Sequence, residues 1–110
     1  MDANDGETVV SPLENVLISL GGCSSVDVVT ILKKSKQNLR HCRVDTESKR
    51  LETVPKLFSD IHLTFTITGE NIKETVVERA IALSVNKYCS LALMLIKSVN
   101  ITHSYRIIST

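Results

Sequence analysis

The sequence predicts a single α+β domain, in which two long helices lie beside a mainly antiparallel sheet. Three observations carry this. A long apolar helical run follows the N-terminal segment, a second helical run occupies the later half, and three segments alternate in polarity. The order of elements is helix–strand–strand–helix–helix–strand. The chain has 110 residues, the length of one domain with a thin margin of core.

The first helix starts at Ser11-Pro12-Leu13-Glu14. Ser11 can cap it, Pro12 suits the first helical position, and Glu14 stands where a capping box places its acid. The helix is expected to run to about Lys36, with Lys33, Lys34 and Lys36 complementing its dipole. Leu13, Val16, Leu17, Ile18, Leu20, Val26, Val28, Val29, Ile31 and Leu32 spread over more than one face, so the helix needs cover on several sides. Gly21-Gly22 sits inside it at a cost of about 1 kcal/mol per glycine. That cost points to a close neighbour, a second backbone or a substrate, with a kink as the plainer account.

From His41 to Lys49 the polarity alternates, with Cys42, Val44, Thr46 and Ser48 on one face. Pro55 marks a loop. Ile61, Leu63, Phe65 and Ile67 then define a second strand. After the turn at Thr68-Gly69-Glu70-Asn71, Asn71 and Glu74 resemble a capping box for a helix reaching about Tyr88. Ser90 can cap a short helix from Leu91 to about Val99, and Ile101 to Ile108 completes the sheet.

A hydrophobic fraction of 43% excludes disorder, and a net charge of +1 gives no electrostatic case for nucleic acid. Two phenylalanines, two tyrosines and no tryptophan make a poor base-stacking platform. No unbroken run reaches the roughly 18 apolar residues of a membrane span, and Met1 to Gly6 do not form a signal peptide. The expected setting is the cytoplasm, which also suits an odd number of cysteines.

Taken alone, Cys23 in the long helix reads as a small core hydrophobe. Cys89 immediately precedes a helix, where unpaired N–H groups can stabilise a thiolate; a buried junction residue is the equal alternative. Cys42 faces the apolar side of its strand and reads as core. His41, Cys42, His62 and His103 lack metal-ligand spacing, and no phosphate loop, dinucleotide fingerprint or nucleophile elbow is present. No cofactor and no metal are expected.

The segments Ser11-Pro12-Leu13-Glu14, Leu20-Gly21-Gly22-Cys23-Ser24-Ser25-Val26-Asp27-Val28-Val29 and Lys87-Tyr88-Cys89-Ser90 resemble the OsmC/Ohr family of thiol peroxidases. The tail Asn100-Ile101-Thr102-His103-Ser104-Tyr105 resembles its YhfA-type branch. The likeness covers nearly the whole chain, as one OsmC-like domain over residues 1–110. It implies an intertwined homodimer in which Cys23 attacks an organic hydroperoxide and Cys89 resolves the product as a disulfide, with an external dithiol as reductant. Two departures stand out. The family's acid directly follows the proline, where this chain has Leu13, so Glu14 is displaced by one residue and serves either as that acid or only as a helix cap. The family's N-terminal strands, with the arginine that activates the thiolate, have no counterpart here; Arg40, Arg43, Arg79 and Arg106 are the substitutes on offer. The alternative function is a non-catalytic dimer holding a small lipophilic ligand at its interface. A third reading is a decayed, truncated member with little activity.

Overall fold

A computed structural model describes residues 12–52 and 57–109. Helix α1 spans Pro12–Lys34, strands β1 and β2 span Asn38–Arg50 and Phe58–Glu70, and α2 spans Glu74–Leu83. A π turn, Ser84–Tyr88, leads into α3, Ser90–Leu95, and β3 closes the chain at Asn100–Ser109. The α+β class holds. The Ser11 cap and the Pro55 loop lie outside the described residues.

The sheet order is β1-β2-β3. β1 and β2 form the expected antiparallel pair, with Cys42 opposite Ile67, Val44 opposite Phe65 and Thr46 opposite Leu63. β3 pairs with β2 in parallel, Phe65 opposite Tyr105. A parallel neighbour needs a crossover, and α2, the π turn and α3 supply it, so the sheet is mixed. The described helices cover one sheet face. The alternating set Ile61, Leu63, Phe65 and Ile67 meets Leu20, Val28, Leu32, Val77, Ala80 and Ile81 there, each with no exposed surface. Overall extents of 46 × 30 × 19 Å fit one helical layer on one sheet.

The buried stripe of α1 is Leu20, Ser24, Val28 and Leu32, every fourth residue. The opposite side stays open, with Ile18 63% and Val26 64% exposed. By length and composition alone α1 is apolar enough to cross a bilayer, which a search for unbroken apolar runs overlooks because Gly21-Gly22, the serines and Asp27 interrupt it. Nothing among the described residues demands either glycine. A Cβ on Gly21 would meet Thr46 and Val44 at 3.7–3.8 Å, ordinary contact, and one on Gly22 would meet nothing within 4 Å. The close neighbour expected there is not found among the described residues. Gly69 is different, because a Cβ would collide with the Asn38 carbonyl and Ile72.

α1 ends in a Schellman motif: Lys36 takes a φ of 59°, Gln37 N–H bonds the Leu32 carbonyl at 3.0 Å and Lys36 N–H that of Lys33 at 3.0 Å. Asn71 does not cap α2. It sits at a φ of 51°, which asparagine tolerates, and turns the chain after β2. Lys73 is the N-cap, without a side-chain cap bond. Its own N–H is taken by the Gln37 side-chain carbonyl at 2.9 Å.

Candidate functional site

One turn of α1 and the irregular end of α2 create the site. Cys23 and Asp27 are four residues apart and share a helix face, with Ser24 beside them in the buried stripe. Across from them the π turn holds its widened ring through Cys89 N–H to the Ser84 carbonyl, 2.7 Å. The extra residue re-aims the chain before α3, leaving Cys89 extended at the junction (φ −75°, ψ 107°). Its side chain then points back at α1.

The result is a thiol pair. Cys89 Sγ lies 2.8 Å from Cys23 Sγ, about 0.8 Å beyond a disulfide bond length of ~2.05 Å. All three cysteines are free thiols. Ser24 Oγ donates to Cys89 Sγ at 3.7 Å. Ser84 Oγ lies 3.2 Å from the Ser24 carbonyl and 3.3 Å from Asp27 Oδ2, with one proton to place between them. Cys89 is fully buried while Cys23 is half-buried.

Burial pushes the Cys89 thiol up, and the Cys23 thiol beside it adds to the rise; the Ala92 backbone amide and Ser24 pull in the other direction without overcoming it. The sequence argument for a stabilised Cys89 thiolate therefore fails on balance. A six-residue helix offers few amides, and desolvation outweighs them. Cys42 sits apart on β1, opposite Ile67, and burial pushes its thiol up as well. Among the described residues no hydrogen bond joins it to the pair.

Glu14 lies in the first turn of α1, nine residues before Cys23. At 1.5 Å per residue that is about 13 Å along the axis, so α1 does not carry Glu14 to its own chain's pair. Arg40 pairs with Glu70 at 2.8 Å and Arg43 with Asp45 at 3.0 Å. Arg79 borders a cleft with Ile31, Lys34 and Leu83, and Arg106 lies opposite Thr66. Among the described residues no arginine bonds either sulfur. His62 is a sheet-surface residue, its ring bonded to Thr102 Oγ1 at 2.7 Å and Ser104 Oγ at 2.9 Å.

Ser24 and Ser84 belong to this site and sequence reasoning passed over both. The available signal was a serine in an apolar stripe: Ser24 within Leu20, Val28 and Leu32, and Ser84 after Ala80-Ile81-Ala82-Leu83. A buried hydroxyl needs a partner, and such a position marks where one must be.

Comparison with known proteins places these residues in context. A family model described as OsmC-like protein matches residues 5–104. Protein YhfA of Escherichia coli K12 is 50% identical over 109 residues, covering 99% of this chain and 81% of that protein. A crystal structure of a hypothetical protein from Aquifex aeolicus superposes with a TM-score of 0.89 at 34% identity, covering 96% of this chain and 79% of the other. An OsmC-like protein from Mycoplasma pneumoniae gives a TM-score of 0.79 at 16% identity over 97% and 79% of the two chains, a likeness of fold.

Proposed function

The chain belongs to the OsmC-like family, and from that premise we propose that Cys23 and Cys89 form a redox pair that reduces organic hydroperoxides. The observation that carries this is the 2.8 Å separation of the two sulfurs across a helix junction. The Cys23 thiolate attacks the terminal oxygen of the O–O bond, becoming a sulfenic acid as the alkoxide leaves and takes a proton. Cys89 sulfur then attacks the sulfenic sulfur. The S–O bond breaks, the Cys89 proton leaves with the hydroxide as water, and a disulfide forms. An external dithiol returns the pair to the reduced state.

The assignment of roles follows exposure. Half-buried Cys23 meets a substrate from solvent before fully buried Cys89 does. Ser24 and Ser84 hold the junction, so the resolving sulfur has little distance to cover. The raised thiol of Cys89 suits a resolving partner that is kept protonated until it is needed.

The exposed side of α1 supports a homodimer, with Ile18 and Val26 buried against a second copy. Light scattering at micromolar concentration should show the dimer; a well-folded monomer contradicts it. The binding reading draws on a different observation, the open cleft of about 470 Å³ between α1 and β1, where Leu17, Ile18 and Val44 line it together with the polar Ser25, Asp45 and Thr46. Turnover separates the two. The redox protein consumes alkyl or fatty hydroperoxide with a dithiol reductant and Cys23→Ser abolishes this. Equal, negligible turnover in the parent and Cys23→Ser, with retention of a lipophilic probe in both, favours the binding protein.

A further inference from the structure

The reduced pair is part of a triad. Cys23 Sγ, Cys89 Sγ and a carboxylate oxygen of Asp27 all lie within 4.8 Å of one another. We propose that, in its dithiol form, the protein binds a thiophilic divalent cation of the zinc type through Cys23, Asp27 and Cys89. This uses the same two thiols as the redox reading but does not depend on peroxide chemistry.

The donor set fits such an ion. Two thiolates and a carboxylate are ligands that zinc accepts, at about 2.3 Å for sulfur and 2.0–2.2 Å for oxygen. Three protein ligands leave the fourth tetrahedral position to water, the pattern of an open rather than a purely structural site. Two sulfurs on one tetrahedral zinc stand roughly 3.8 Å apart, so the pair must open by about 1 Å to admit the ion. The carboxylate oxygen lies within 4.8 Å of both sulfurs, against roughly 3.6 Å for a sulfur and an oxygen on one tetrahedral zinc, so it closes by at most about 1.2 Å. Cys23 and Asp27 come from successive turns of one helix, which fixes their relation, and Cys89 comes from the extended junction.

The surroundings support the same conclusion. Ser84 Oγ stands 3.3 Å from Asp27 Oδ2, where its proton can orient the carboxylate, as outer-shell hydroxyls do around metal ligands. Asp27 also opens onto a cleft of about 410 Å³ shared with Thr30, Lys34 and Tyr88, which gives an ion a way in. Binding releases both thiol protons to solvent, and their two negative charges with that of Asp27 face the dication. Oxidation of the pair to a disulfide removes two ligands at once. Metal binding and disulfide formation are therefore mutually exclusive uses of one site.

Cobalt(II) reports on this directly, because thiolate coordination gives it a sulfur-to-metal charge-transfer absorption. Cobalt alone is titrated into the reduced full chain under anaerobic conditions, and zinc is then added to displace it. The same titration is run on protein oxidised by diamide, which takes up the two electrons and two protons of the dithiol, and on folded Cys23→Ser, Asp27→Asn and Cys42→Ser. The expected result is one thiolate-bound ion per reduced chain, displaced by zinc. The band should be absent after oxidation and in Cys23→Ser, and unchanged in Cys42→Ser. Asp27→Asn should keep it at an affinity weaker by about tenfold or more. Absence of the band in the reduced parent, its survival in Cys23→Ser, or an unchanged affinity in Asp27→Asn overturns the proposal. A chain that forms the Cys23–Cys89 disulfide yet binds no cobalt loses the metal site alone; one that binds cobalt yet never forms that disulfide loses the redox reading alone.

Discussion

The helix junction around Cys89 and the strand around Cys42 place a cysteine in two kinds of cover. Both thiols are pushed up by burial. At Cys42 the story ends there: the side chain packs on the helix-covered face of β1, opposite Ile67, as an ordinary small hydrophobe. At Cys89 the π turn has spent a regular hydrogen-bond register to bring the sulfur within 2.8 Å of a second thiol, with Ser24 at 3.7 Å. Burial and the direction of the pKa shift are the same at both; what differs is the partner set that irregular backbone supplies at Cys89, and the proposed redox role rests on that difference.

The largest expected effect breaks the junction side outright. Cys23→Ser should lose all hydroperoxide turnover and all intramolecular disulfide, measured by peroxide consumption and by thiol titration. Cys89→Ser should still reduce a first hydroperoxide to give the Cys23 sulfenic acid, and in excess hydroperoxide a second equivalent should advance it to the sulfinic acid, seen by mass spectrometry, since no resolving thiol remains. An unoxidised Cys23 after excess hydroperoxide contradicts that role.

Ser84→Ala tests whether the polar junction is structural support for the pair. It strips a hydroxyl from the Ser24 carbonyl and from Asp27, and should cost about 1–3 kcal/mol in denaturant unfolding. It should also slow disulfide closure. Cys42→Ser should be the smallest perturbation, roughly 1 kcal/mol or less for a half-buried site, with the yield of Cys23–Cys89 disulfide unchanged. In the native protein Cys42 should alkylate slowly at neutral pH, and the rate should climb as pH rises. Burial disfavours the thiolate, so only higher pH populates the reactive form.

Much of this architecture was legible in the residues. Pro12 announced the start of α1, and the alternation of Ile61, Leu63, Phe65 and Ile67 with polar residues gave β2 and its buried face. The same face of β1, from Cys42 through Ser48, was read correctly because a period of two needs no tertiary information. The family likeness carried the pairing of Cys23 with Cys89, since two cysteines 66 residues apart have no local signal of contact. Three features stayed hidden. The parallel pairing of β3 depends on how the crossover packs, which strand composition does not encode. The π turn has no strong propensity signature: its residues, Ser84–Tyr88, continue a helical pattern until the widened ring is seen. Asn71 carries a residue type common to caps and to left-handed turns, and the fold uses the second. Arg40 and Arg43, offered as substitutes for an activating arginine, form exposed ion pairs with Glu70 and Asp45 in the single chain.

The most direct test is a peptide map of the reduced protein after one equivalent of an organic hydroperoxide, with residual thiols capped before digestion. The account predicts a single disulfide joining the Cys23 and Cys89 peptides, with Cys42 recovered in its capped, reduced form. A map in which all three cysteines remain reduced, or in which Cys42 shares the disulfide, contradicts it.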